Sequence, residues 1–208
     1  MITRGRFITF EGGEGGGKST QARRLAANLC ARGLPVLVTR EPGGAPGAEA
    51  IRQVLLGGQG LDPVAEAMLL FAGRREHAVQ TIRPALEAGI WVVCDRFADS
   101  TLAYQVHGLG MPRATFDTLA ALALEGLRPD LTLILDAPEA IGMRRAMARG
   151  VAADRYERLD AAFHARVRAG FLALARAEAD RCAVVDATAP VDAVTTAVAA
   201  VVAERLLP

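Results

Sequence analysis

Five short apolar runs rich in β-branched residues recur along the chain, at 7–10, 36–39, 90–94, 131–135 and 183–185. Their hydrophobicity is nearly continuous rather than alternating, the pattern of strands covered on both faces, and it predicts a parallel sheet between layers of helices. Between the runs, apolar positions return at helical spacing. A first helix is predicted over 18–32, stopped by Gly33, with Pro35 opening the next strand. The segment 63–87 reads as one long helix ended by Gly89, bent or robbed of its last turn by Pro84. Further helices are predicted over 113–127, 138–149, 155–178 and 190–206, with Pro190 opening the last. The expected architecture is α/β, a five-stranded parallel sheet flanked by helices on both faces, in a single domain spanning 1–208.

Composition narrows the partners. With 208 residues, 51% hydrophobic, the chain buries a full core, and a net charge of +1 argues against a broad basic surface for nucleic acid. The start, Met1-Ile2-Thr3-Arg4-Gly5-Arg6, lacks the apolar centre of a secretion signal, and no apolar run approaches the roughly 18 residues of a membrane span, so a cytoplasmic protein is expected. Cys30, Cys94 and Cys182 are scattered in apolar surroundings and read as small core residues. His77, His107 and His164 show no ligand spacing, and solvated or capping roles are expected for them.

The chemistry begins directly after the first run. Gly12-Gly13-Glu14-Gly15-Gly16-Gly17-Lys18-Ser19 fits the pattern G-x-x-x-x-G-K-[ST], where a strand ends, glycines turn backbone amides inward and a helix starts. Amides, a helix N-terminus, Thr20 and a lysine then converge on one anion, a cradle for the phosphates of ATP or GTP with magnesium. Lys18 is placed to reach the β- and γ-phosphates and Ser19 to ligate Mg2+. Asp95, ending the third run, is either a second group near the metal or the cap of the next helix. Ligands of open parallel sheets gather outside the carboxyl ends of the strands. That edge receives Glu11, Arg40, Asp95-Arg96, Asp136 and Asp186-Ala187-Thr188.

A GTPase would carry Asn-Lys-x-Asp to read guanine and a glutamine to orient water, and neither follows the third run. A transferase with a second phosphate-bearing substrate needs fixed cations instead, and Arg40, Arg75, Arg96, Arg149 and Arg155 supply them from separate segments. The segments Phe10-Glu11-Gly12 through Thr20, Thr39-Arg40-Glu41-Pro42-Gly43-Gly44, Leu69-Leu70-Phe71-Ala72-Gly73-Arg74-Arg75, Asp95-Arg96-Phe97-x-x-Ser100-Thr101-x-Ala103-Tyr104-Gln105 and Asp154-Arg155-Tyr156-Glu157 resemble, in order and spacing, the successive motifs of thymidylate kinases. The resemblance implies a P-loop NTPase fold with a short lid at about 148–156, a homodimer, and transfer of the ATP γ-phosphate to dTMP with Mg2+.

It also implies roles. Glu14 resembles the carboxylate facing the acceptor sugar; Arg40 and Arg96 resemble the pair holding the acceptor phosphate, a task suited to planar forks of donors. Phe71 resembles the ring that stacks on thymine and Arg75, four residues on, the donor to its exocyclic oxygen. Ser100, Thr101, Tyr104 and Gln105 resemble the helix start that borders the base and sugar. Gly15 stands where some relatives carry an arginine, which implies that the catalytic arginine is on the lid, from Arg149 or Arg155, although Met147 stands where a further lid arginine is common. Ala187 and its neighbours resemble the loop bordering adenine, on which Arg145 is expected to stack. Two other readings stay open: a P-loop kinase for a different small acceptor, and a regulatory module that holds ATP without transferring phosphate.

Overall fold

A computed structural model describes residues 3–57, 60–148, 156 and 158–207. Of the lid expected at 148–156, residues 149–155, with Arg149 and Arg155, lie outside the described residues. Strands β1 (Phe7–Glu11), β2 (Val36–Arg40), β3 (Trp91–Asp95), β4 (Leu131–Asp136) and β5 (Cys182–Asp186) form one sheet in the order β2-β3-β1-β4-β5, with every pairing parallel. Within it, Thr9 lies opposite Cys94 on one side and Thr132 on the other. The central strand β1 is buried at all five positions, which is why its run reads as continuous rather than alternating.

Alternation survives in which face each residue serves. Ile8, Phe10, Val93, Leu133 and Leu135 pack with α1 (Lys18–Ala31) and α9 (Val191–Leu206). Phe7, Val92, Cys94 and Ile134 point the other way, into a core with α3 (Pro63–His77), α6 (Arg113–Leu124) and α8 (Ala161–Ala177). Strand-end chemistry is thereby confined to the carboxyl edge.

Several boundaries differ from the sequence expectation. An additional helix α2 (Pro46–Gly57) forms between β2 and α3, where no element was predicted; Pro46 stands at its start, where a missing N–H costs nothing. The predicted helix 63–87 is three pieces: α3, a π-helical segment Ala78–Ile82 and α4 (Arg83–Glu87), with Pro84 in the first turn of the last. After β3, the expected helix start is α5 (Ala98–Thr101), continued by a second π-helical segment Leu102–Gly108. The helix expected from 138 is α7 (Glu139–Met147), and α8 begins at Ala161, later than predicted, because Asp160 caps it by accepting from the Phe163 amide at 2.7 Å. Cys94 and Cys182 are buried as expected, but Cys30 is exposed on the outer face of α1. Among the described residues, no helix is long and apolar enough to cross a membrane.

Candidate active site

At the end of β1 the chain turns through glycines for geometric reasons. Gly15 has φ +66°, and a Cβ there would lie 1.9 Å from the carbonyl oxygen of Gly142 in α7; a Cβ on Gly142 would lie 2.3 Å from the carbonyl oxygen of Glu14. The two glycines let the loop and α7 touch backbone to backbone, so position 15 cannot carry the arginine found in some relatives. Gly17, at φ +85°, turns the chain into α1, and its carbonyl accepts from the amides of Thr20 and Gln21. Lys18 Nζ then curls back over the loop, donating to the carbonyls of Gly13 at 2.6 Å and Gly12 at 3.1 Å. Burial, reinforced by the nearby Arg96 charge, lowers its pKa to about 8.

The end of β3 faces this loop. The hydroxyl of Ser19 donates to Asp95 Oδ2, so the two expected metal-side residues are adjacent. Arg96 follows with φ +70°, a left-handed conformation rare outside glycine, and its amide donates to the Phe10 carbonyl. Its guanidinium reaches Glu14 at 2.5 Å, Tyr104 Oη at 3.0 Å, Ser100 Oγ at 3.2 Å and the Gly12 carbonyl at 3.3 Å. Beneath it Glu11 is fully buried and accepts from the Phe97 amide at 2.7 Å and Ser100 Oγ at 2.6 Å. Burial and the negative charge of Asp99 push the Glu11 carboxyl up to about 8.

A cleft of about 550 Å³ runs from this cradle to a second wall. Lys18, Ser19, Thr20, Asp95 and Arg96 line one end, and Leu70, Arg74, Thr101, Tyr104, Gln105 and Tyr156 the other. Arg74 is buried and lies against the rings of Phe71 and Phe97, 4.7 and 5.5 Å from their centroids. It donates from Nε to Glu41 at 2.7 Å, and from its two terminal nitrogens to Thr101 Oγ1 at 3.2 Å and the Phe97 carbonyl at 3.1 Å. Gln105 donates to Glu66 at 2.6 Å and to Tyr156 Oη at 3.1 Å. Among the described residues, seven cationic side chains line the cleft, Arg23, Arg40, Arg52 and Arg145 joining Lys18, Arg74 and Arg96, against the carboxylates of Glu14, Glu41 and Asp95. That excess of positive charge suits polyanionic guests.

The family model described as thymidylate kinase matches residues 10–198. The chain belongs to that family. It is 55% identical over 207 residues to the thymidylate kinase of Caulobacter vibrioides, covering 99% of both chains, and 52% identical over 198 residues to that of Methylococcus capsulatus, covering 95% of both. The crystal structure of thymidylate kinase from Ehrlichia chaffeensis superposes with a TM-score of 0.78 at 36% identity, covering 96% of this chain and 98% of that one. The fold is accordingly the P-loop NTPase fold.

Two residues that the thymidylate kinase resemblance singles out are not where it implied. Phe71 is 2% exposed and packs edge-on against Phe116 in the core, while Leu70 lines the cleft. Arg75 is turned toward α6, paired with Glu125 at 2.7 Å and donating to the Ala123 carbonyl, while Arg74 faces the cleft. The spacing of four is kept but displaced by one residue, and a step of about 100° around a helix takes a side chain off the cleft, Phe71 into the core and Arg75 toward α6. Two adjacent arginines gave the sequence no means of choosing between them.

The remaining expected residues fall as follows. Arg40 lines the cleft and pairs with Glu49 of α2 at 3.1 Å. Arg145 lines the cleft but donates to the carbonyls of Ala187 at 2.6 Å and Thr188 at 3.1 Å, fixing the loop after β5 to α7; Ala187 itself is 2% exposed and faces the core. His107 is exposed as expected, but His77 and His164 are buried, His77 completely. His77 lies three residues from Arg74 and so shares its helix face, but that spacing carries a signal only once Arg74 rather than Arg75 is known to turn inward.

Proposed function

We propose that this cleft transfers the γ-phosphate of ATP to dTMP, giving dTDP and ADP by direct in-line displacement. An oxygen of the dTMP phosphate attacks the γ-phosphorus as the bond to the β-γ bridging oxygen breaks. The supporting observation is the continuity of one cleft from the glycine loop with Lys18 and Arg96 to the wall of Arg74 and Gln105. Two phosphate-bearing guests entering from opposite ends meet between Lys18 and Arg96.

In this reading the backbone of residues 12–20 and Lys18 hold the donor phosphates. Arg96 and Arg40 hold the acceptor phosphate, and Arg96 is kept in place by Glu14, Ser100 and Tyr104. Glu14 and Tyr104 border the acceptor sugar. Arg74 takes the base-reading role that the resemblance gave to Arg75, with Thr101 and Gln105 beside it and Leu70 offering an apolar face. The donor base is assigned to the side of Arg145. Ser19 and Asp95 fit Mg2+: this ion keeps waters and takes phosphate oxygens, so one hydroxyl and one carboxylate suffice without a larger acidic cluster. Bound there, Mg2+ supplies charge neutralisation between the phosphates. Because Gly15 cannot carry a side chain, the further cation for the transferring group is assigned to the lid residues Arg149 and Arg155. Assembly is proposed as a homodimer through α3 and α6, which expose Met68 and Leu122.

The deciding experiment is ADP release, with Mg2+, across dTMP, dUMP, dGMP, UMP, CMP and thymidine. We expect dTMP to be preferred, with dUMP disfavoured by only about 10- to 200-fold, the worth of one methyl in an apolar pocket. Preference for another acceptor overturns the base assignment, and ATP binding without dTDP formation favours the regulatory module.

A further inference from the structure

The geometry points to His77 as a positioning residue for acceptor recognition: its imidazole fixes Glu41, and through Glu41 the Arg74 guanidinium, against the base end of the cleft. This inference rests on the reading of that end as the dTMP site. The contacts form an unbroken buried line. His77 Nδ1 lies 3.0 Å from Glu41 Oε1, and a carboxylate oxygen only accepts, so that nitrogen donates. The other ring nitrogen, Nε2, is 2.8 Å from the Thr39 hydroxyl, which donates to it when the ring is neutral. The second oxygen of Glu41 receives Arg74 Nε at 2.7 Å. His77 is 0% exposed, Arg74 3% and Glu41 6%.

The order of the line gives His77 its leverage. Glu41 has two oxygens and two cationic or N–H partners, one on each. With the imidazole in place the carboxylate cannot turn, and Arg74 keeps its terminal nitrogens on Thr101 and the Phe97 carbonyl. Without a donor at position 77 the buried Oε1 loses its partner, and the nearest remaining donor group is the Arg74 guanidinium, toward which the carboxylate then rotates in competition with Thr101 and the Phe97 carbonyl. That rotation draws the guanidinium away from the cleft wall.

The same imidazole also sets the loop after β2. A Cβ on Gly44, at φ +87°, would lie 2.4 Å from His77 Nε2, so the loop closes directly over the ring. Thr81, in the π-helical segment that begins one residue after His77, clamps the Gly44 carbonyl at 2.8 Å. One side chain thus ties the arginine at the base end to the loop that follows Arg40.

The test is a set of His77 variants assayed for KM and kcat with dTMP, dCMP and ATP. Asn places its amide nitrogen near the Nδ1 position and retains the donor to Glu41; Gln reaches instead toward Thr39; Phe fills the space with neither. We expect His77→Phe and His77→Gln to raise the KM for dTMP and lower the dTMP-to-dCMP preference on the order of 10-fold or more, the scale at which supporting residues act on a binding group. The KM for ATP is expected to stay within about twofold, and His77→Asn to restore most of the loss. Unchanged base preference in a folded His77→Phe, equal rises in KM for both nucleotides, or no difference between Asn and Gln would each overturn the inference. If the Phe variant does not fold, the Asn and Gln pair decides. Arg74→Ala separates this from the parent reading: should it leave the KM for dTMP unchanged, the base site itself is wrongly placed. Should Arg74→Ala raise that KM while the His77 variants do not, only the role of His77 fails.

Discussion

Replacing Gly142 by alanine tests the contact on which the phosphate loop is built. In most helices this change is stabilising, since alanine is about 1 kcal/mol better than glycine in a helix interior. Here the added Cβ would sit 2.3 Å from the Glu14 carbonyl oxygen, roughly 1 Å inside ordinary van der Waals contact, and the obstacle is backbone rather than a side chain that can swing aside. Either α7 or the loop must shift by about that distance. Overpacking of this kind costs about 1–3 kcal/mol, so the helix gain is cancelled or reversed, and a loss of up to about 2 kcal/mol lowers the melting temperature by roughly 4–8 °C in a chain of this size. Turnover is the more sensitive readout. A loop displaced by about 1 Å misaligns Lys18 and Ser19 against the phosphates, and displacements of that size cost on the order of 100-fold in rate. Steady-state ADP release together with thermal melting should therefore show slower turnover with little or no stability gain. A Gly142→Ala protein that melts higher by several degrees and turns over at the parent rate would refute the backbone contact as a determinant of the loop's position.

Lys18→Ala should slow turnover by at least 10²–10³, the worth of a fixed charge at the transition state, while far-UV circular dichroism stays native, because the lysine donates only to loop carbonyls. Arg75→Ala should leave both dTMP kinetics and the denaturation midpoint essentially unchanged, as expected of an exposed, solvent-screened pair, whereas Arg74→Ala strands the buried Glu41 and should cost about 3–5 kcal/mol. Comparison of the two by denaturant melts and KM for dTMP checks the displacement by one residue. Glu11 holds its proton in the fold up to about 8 against an ordinary 4.5, so its contribution to stability is full below 4.5 and is lost as pH rises through 8. Lys18 runs the other way: the unfolded chain keeps its proton to 10.5 and the fold releases it near 8, so stability recovers from 8 to 10.5. The difference in stability between the parent and Glu11→Gln should therefore shift in favour of the variant from pH 5 to pH 8, and a flat difference contradicts the buried acid. Sedimentation should give a dimer that Leu122→Glu dissociates.

Most of the sheet was legible because central parallel strands have no polar face to hide. The runs at 7–10 and 131–135 are continuous apolar stretches that the fold buries in full, and both appear as strands. The phosphate end was legible for a different reason: a cradle for an anion needs glycines, a lysine and a helix start at fixed spacing, and local sequence holds all three. What escaped the reading depends on rotation about a helix or on distant partners. Helix α2 is opened by proline and preceded by two glycines, so its local signals are those of a turn, and packing against α3 decides its conformation. Arg74 and Arg75 are chemically identical neighbours; only the position of Glu41, 33 residues away, distinguishes the one that turns inward. His77 looked solvated because its partners, Thr39 and Glu41, belong to another strand end.

The charge balance of the cleft explains how a site so rich in cations folds at all. Seven positive side chains among the described residues of one cavity repel one another, and the lowered pKa of Lys18, caused first by burial and then by the neighbouring Arg96 charge, records a part of that cost. Among the described residues, the cations that the proposed mechanism places on phosphate and acceptor base each have an oxygen of the protein to hold: Lys18 has the Gly12 and Gly13 carbonyls, Arg96 has Glu14, Arg40 has Glu49 and Arg74 has Glu41. Nucleotide phosphates then enter by exchange, replacing partners rather than meeting bare charge, and the net affinity is the difference between two sets of contacts. The exchange is uneven. Lys18 and the exposed Arg40 give up carbonyls or a solvated carboxylate at small cost, whereas Arg74 is locked between two rings by buried partners and has no comparable alternative. The phosphate contacts of Lys18 and Arg40 are therefore built to be adaptable and base recognition rigid, with Arg96, held by Glu14, Ser100 and Tyr104, as the fixed point between them. That division suits a kinase whose donor and acceptor both present phosphates but only one of which presents thymine.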